Sequence, residues 1–143
     1  MQWRFQPALY FRAVRKWFLA VGCILIALEF LSRVPIFTQF SLILATPIIL
    51  IAKGAGAFFI GHRMVQAKKL LPDATIAGML YGVGIACIVL GIMILRKISF
   101  LQPEFFGIFG GFDFIFLFGS EILSGALFSA IGGIVAGAGM DAS

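Results

Sequence analysis

Four long apolar stretches occupy most of this 143-residue chain, and they limit what it can fold into more than any other feature. Hydrophobic residues make up 62% of the sequence and charged residues 12%, whereas soluble domains are roughly half apolar and a quarter charged. A spanning helix needs about 20 apolar residues, so the chain has room for three or four spans and short loops. The composition therefore predicts an all-α integral membrane protein in which residues 1–143 form a single membrane domain.

Polar residues and prolines divide the chain into segments. Pro7 suits the first turn of a helix, and the polar stretch around His62 separates two of the apolar stretches. The predicted segments are, in chain order, an amphipathic amino-terminal segment over 1–16, spans over 17–37 and 38–60, a polar loop over 61–73, a third span over 74–95, a Phe- and Gly-rich outer hairpin over 96–112, and a fourth span over 113–139.

The amino-terminal segment has two interpretations. As a helix it places Tyr10 and Trp17 on one face and basic residues on the other, which is typical of a helix lying in the membrane interface. The alternative is a positively charged flank that only anchors the first span. In either case, five cations are expected at the membrane surface, namely Arg12, Arg15, Lys16, Lys68 and Lys69.

The distribution of the eleven Lys and Arg residues predicts an orientation. Eight are assigned to one side, namely four in the amino terminus, three between the second and third spans, and Lys53. Three lie at the other ends of the spans, namely Arg33, Arg96 and Lys97. The positive-inside rule then places both termini on the cytoplasm-equivalent side of a prokaryotic plasma membrane or of an organelle inner or thylakoid membrane. Because these charges flank apolar spans instead of forming a basic face in water, nucleic acid is not an expected partner.

Small residues recur every four positions on two of the predicted spans. The fourth span carries such a row at Gly125, Ser129, Gly133 and Gly137, and the third span carries a shorter one at Gly78, Gly82 and Ala86. Such rows let helix backbones approach closely in lipid, where no hydrophobic force drives helices together. We therefore predict helix packing on these faces. The spacing leaves open whether the partner is another helix of the chain, a second copy or another subunit.

Glu121 shares its helical row with Gly125 and lies in the outer part of the fourth span. An ionisable residue inside a span costs about 3 kcal/mol on insertion scales, so it indicates either a specific partner or a function. The expected partners are the outer cations Arg33, Arg96 and Lys97. Three interpretations stay open: an interhelical ion pair or hydrogen bond, ion or proton handling, and a water-exposed residue on a shortened span.

The other charged or titratable positions in the apolar stretches or beside them have simpler explanations. Glu29 and Arg33 are four residues apart, so they meet on one helix face and form a local pair. Lys53 is interpreted as a boundary charge whose side chain reaches toward the membrane surface, with contact to a ligand or a lipid headgroup as the alternative. His62 is the single histidine. It could supply one axial ligand, which keeps pigment or haem binding as an alternative.

Motifs for catalysis are lacking in this sequence: it contains no HExxH, CxxC or Walker loop and no paired Cys and His. We therefore predict that the protein is not an enzyme and predict no cofactor or metal, although bound lipid is expected. The function predicted is that of a non-catalytic accessory or assembly subunit of a larger membrane complex, of the energy-transducing or photosynthetic type. Its partners would be other membrane subunits or copies of itself. The alternative is a homo-oligomeric channel or small transporter that uses Glu121.

Overall fold

The computed structural model of the protein describes residues 6–34, 36, 38–68, 70–98 and 111–141. Within these ranges the chain forms four helices: α1 (Pro7–Ser32), α2 (Thr38–Lys68), α3 (Leu71–Ile98) and α4 (Gly111–Asp141). Three of them contain segments long and apolar enough to cross a membrane, at Thr46–Ala67, Leu71–Leu95 and Ile115–Gly139. The predicted all-helical architecture is thereby confirmed over the described residues, and three of the four predicted spans have a helix that is long and apolar enough to cross a membrane.

Two segment boundaries differ from the prediction. The amino-terminal segment and the first span are one continuous helix, which starts at Pro7. Most of the loop predicted over 61–73 is helical, because α2 continues to Lys68 and α3 begins at Leu71. The polar residues in that stretch occupy one side of α2, since Arg63 and Gln66 are exposed while Met64 and Val65 are buried. The hairpin predicted over 96–112 falls largely outside the described residues.

Residue contacts between helices fix their relative directions. A Cβ built at Gly78 would meet the backbone of Gly125, and one built at Gly82 would meet the backbone of Glu121. A step of four residues forward along α3 therefore matches a step of four back along α4, so these helices are antiparallel. Gly22 of α1 approaches Ile88, while Tyr10 hydrogen-bonds Asp73 nearer the start of both helices. Hence α1 and α3 run in the same direction.

The middle helices α2 and α3 form the centre of the bundle, because α1 and α4 each pack against both of them. Small residues are frequent in the buried interior, including Ala57, Ala74 and Ala77. Many large apolar side chains are exposed on the outside, as Ile51, Ile115 and Phe116 show, although a few such as Ile60 and Ile85 are buried. This reverses the arrangement of a soluble protein and is the arrangement expected where the surroundings are hydrocarbon and close helix packing stabilises the fold.

Candidate functional site: an ion pair inside the bundle

An ion pair joins α2 and α4 within their apolar segments. The Lys53 ammonium donates a hydrogen bond to the Glu121 carboxylate, and the two side chains are only 19% and 14% exposed. Both residues lie inside segments that are apolar enough to span a membrane. The pairing brings opposite charges into contact, which offsets part of the cost of holding each of them away from water.

This partner differs from the predicted ones. Arg33 contacts Glu29 at 3.5 Å, as its i, i+4 spacing suggests, and is not the cation that meets Glu121. The Lys53 side chain also does not extend toward the membrane surface as predicted, because it pairs with Glu121 inside the bundle. Lys53 lies at the middle of α2, which continues past it to Lys68.

Close backbone packing positions the carboxylate. A Cβ at Gly82 would lie 2.8 Å from both the Glu121 carbonyl carbon and the Ile122 Cα, so α3 and α4 touch at this level because position 82 has no side chain. On the other side of the same turn, Ser124 Oγ donates to the Glu121 carbonyl oxygen at 3.1 Å. The backbone around Glu121 is therefore held against α3 while its side chain reaches α2.

A cavity of about 10 Å³ adjoins the ion pair, with Tyr81, Ser124 and Phe128 among its lining residues. This is roughly the volume needed to hold one water molecule. The side chain of Tyr81 is buried, and its hydroxyl has no hydrogen-bond partner among the described residues. The hydroxyl lies beside Gly56, where an added Cβ would be 2.6 Å from it. The site is thus a polar pocket of the size of one water molecule, bounded by charges of both signs.

The predicted small-residue row of α4 lies mostly inside the bundle. Gly125 meets Gly78, and Ser129 Oγ donates to the Ala74 carbonyl oxygen at 2.6 Å. Gly133 lies where an added Cβ would be 2.9 to 3.1 Å from side chains of α2 and α3. Gly137 has no neighbour within 4 Å of an added Cβ. The partner of this row is therefore within the chain, along α3 and α2, and the row does not extend to its last predicted member.

Sequence reasoning missed several contacts. Gly61 of α2 meets the Ser129 backbone and Gly132 meets the Phe58 backbone, which completes the α2–α4 packing. The buried hydrogen bond from Tyr10 to Asp73 was also missed. The glycines of the 54–61 stretch are a local signal in the sequence for the close packing of α2 on α4. A link between residues 10 and 73 has no local signal, because it depends on how α1 lies along α3.

The remaining predicted residues differ in burial. Arg12, Arg15 and Lys16 are exposed, whereas the third-span residue Ala86 is buried. His62 is half-buried and stacks on Phe58 with ring centroids 6.4 Å apart. Lys69 lies outside the described residues, and the side chain of Lys68 does as well.

Among the described residues, no group of three His, Cys, Asp or Glu side chains is placed to hold a metal ion. Cys23 and Cys87 are exposed free thiols on different helices. Comparison with family models, with curated protein sequences and with solved structures found no match for this chain.

Proposed function

We propose that this chain is a non-catalytic accessory or assembly subunit of a larger membrane complex, which acts through the outer surface of its bundle. The observation that carries the proposal is the size of the polar site. A pocket for about one water molecule beside the ion pair leaves no room there for an organic substrate. The small-residue faces pack against one another within the chain, so partners would meet the large outward side chains instead, such as those of α4.

Native mass spectrometry after mild solubilisation tests the proposal. Protein extracted from its own membrane should carry unlike membrane subunits in fixed ratio, because an accessory subunit is held by them. Several identical copies without other proteins would contradict the proposal and favour the channel, and so would a lone monomer that persists in every mild detergent tried.

The four-span topology belongs to the same proposal. The helix α1 runs alongside α3 from Tyr10 to at least Gly22. It would therefore lie at the same depth in the membrane as α3, although Arg15 and Lys16 interrupt its apolar sequence. Long basic side chains can extend from such positions to the membrane surface. With four spans, both termini lie on the cytoplasm-equivalent side.

Cysteine accessibility checks this topology after Cys23 and Cys87 are replaced by serine. The exposed positions Gln66 and Ile36 lie at opposite ends of α2. Gln66→Cys should be labelled from the same side as a cysteine at the amino terminus, and Ile36→Cys only from the opposite side. Labelling of both positions from one side would rule out the four-span arrangement.

A second candidate function is ion or proton transfer, which the position of Lys53 and Glu121 beside a water-sized pocket favours. Ionisable residues inside spans frequently serve such pathways. The transport hypothesis expects that Glu121→Gln assembles normally and abolishes flux in reconstituted vesicles. The accessory-subunit proposal expects no flux above that of empty vesicles from either the parent protein or this variant.

A further inference from the structure

The seam between α1 and α2 has an aromatic pair on its surface, near one end of the bundle. The rings of Trp17 and Phe59 are stacked, with centroids 4.9 Å apart and planes 7° from parallel. Phe59 is 47% exposed. Aromatic side chains of this kind are enriched where the hydrocarbon core meets the polar headgroups, so an exposed stack here suits contact with the upper part of a lipid chain.

Cations lie next to this stack on both helices, toward the same end of the bundle. Arg63 is one turn beyond Phe59 on the same face of α2, and Arg12 and Lys16 form an i, i+4 row on α1. All three are exposed. Since α1 and α2 run in opposite directions, the steps from Trp17 to Arg12 and from Phe59 to Arg63 both lead toward that end, over roughly 6 to 8 Å.

Helix geometry places Lys16 closest to the α2 side of α1 among the cations near the stack, whereas Arg12 and Arg15 both point away from α2. Phe18 approaches Gly84 of α3, whereas Trp17 contacts Phe59 of α2. Consecutive residues are about 100° apart around a helix, so the step from Phe18 to Trp17 continues to Lys16 on the outer flank of the α1–α2 seam. Arg15 is rotated a further step away and points off the seam.

The rows on both sides of the seam change from basic to apolar in the same order. On α1 the exposed row continues from Lys16 to Ala20 and Ile24, and on α2 the row from Arg63 continues through Phe59. No acidic residue occurs in α2 or in α1 before Glu29. The seam therefore presents positive charge followed by an apolar surface, which is complementary to an anionic headgroup followed by an acyl chain.

We propose that the α1–α2 seam binds one anionic phospholipid, with its phosphate between Lys16 and Arg63 and an acyl chain along the Trp17–Phe59 stack. The site differs from the general attraction of a basic helix end to a charged membrane, because it involves two helices and leaves Arg15 out. It is independent of the ion pair between Lys53 and Glu121.

Binding to purified full-length protein in neutral detergent tests the proposal, with phosphatidylglycerol and phosphatidylcholine of identical chains as probes. Native mass spectrometry should show one tightly held phosphatidylglycerol and several-fold weaker phosphatidylcholine. Removing one cation near a lipid phosphate should weaken binding about five-fold, so we expect this for both Lys16→Gln and Arg63→Gln. Arg15→Gln, a matched loss of one exposed charge from the same helix, should change it less than about two-fold.

A second measurement reports where the acyl chain of the bound lipid lies. In a Trp3→Phe background, brominated acyl chains should quench the fluorescence of Trp17 more strongly on phosphatidylglycerol than on phosphatidylcholine, and Arg63→Gln should remove the difference. Equal affinity for the two lipids would overturn the proposal. So would an equal loss of binding in Arg15→Gln and Lys16→Gln, which would show a response to overall charge, and so would equal quenching by the two brominated lipids.

Discussion

Replacing Gly78 by leucine is expected to destabilise the bundle strongly. A Cβ at this position would lie 2.9 Å from the Gly125 carbonyl carbon and closer still to its oxygen, so α3 and α4 would have to separate. Overpacking of this kind costs on the order of 3 kcal/mol. The gain in helix propensity from Gly to Leu is below about 1 kcal/mol. The clash is larger than this gain, so the substitution should lower the free energy of unfolding.

Gly91→Leu is the matched control, because Gly91 lies on the same helix and an added Cβ there would meet nothing within 4 Å. Both variants add the same side chain to α3 and should insert into the membrane equally well. Reversible unfolding in a denaturing detergent should show a large loss for Gly78→Leu and little change, or a slight gain, for Gly91→Leu. Equal stabilities would mean that α4 does not pack on α3 at Gly78.

Removing one charge of the Lys53–Glu121 pair is the second change with a large expected effect. Lys53→Leu leaves the Glu121 carboxylate inside the bundle without its cation, and breaking a buried ion pair in this way costs about 3 to 5 kcal/mol. The substitution nevertheless makes α2 more hydrophobic, so insertion should not suffer. We therefore expect a protein that inserts into the membrane and unfolds easily, as measured by the same detergent titration.

The double variant Lys53→Leu with Glu121→Leu should recover most of that loss, since apolar replacement of both partners removes the buried charge altogether. The resulting coupling energy between the two positions should be large. Arg33→Leu provides a comparison, because its pair with Glu29 is local and the Arg33 side chain is 48% exposed. Such pairs contribute less than about 1 kcal/mol.

Local patterns in the sequence were enough to predict the all-helical architecture of the described residues and the side of α4 that packs. The apolar stretches indicate membrane helices, and the four-residue row through Gly125 and Ser129 identifies the side of α4 that packs. Both are local properties, because helical periodicity brings residues four apart to one face. The partner of the row was beyond this reasoning, since a glycine face fits many helix surfaces equally well.

The partner of Glu121 is not predicted by the sequence for a physical reason that lies in α2. Charged residues usually lie near the ends of spans, so the Lys53 side chain is expected to extend toward the membrane surface, and the polar residues after position 60 predict a loop. In that stretch Arg63 and Gln66 face outward while Met64 and Val65 face inward, which is a helical pattern. With α2 extended, two lone charges of opposite sign come to similar depth on two helices that pack together.

The central claim is that Lys53 and Glu121 hold α2 and α4 together as a structural pair inside the bundle. Exchanging the two charges tests it most directly. The single changes Lys53→Glu and Glu121→Lys each place like charges together, so each should prevent stable folding. The exchanged variant, with both changes, should fold and unfold within about 2 kcal/mol of the parent because the pair is restored in reverse. The claim would be contradicted if the exchanged variant were no more stable than the less stable of the two single variants.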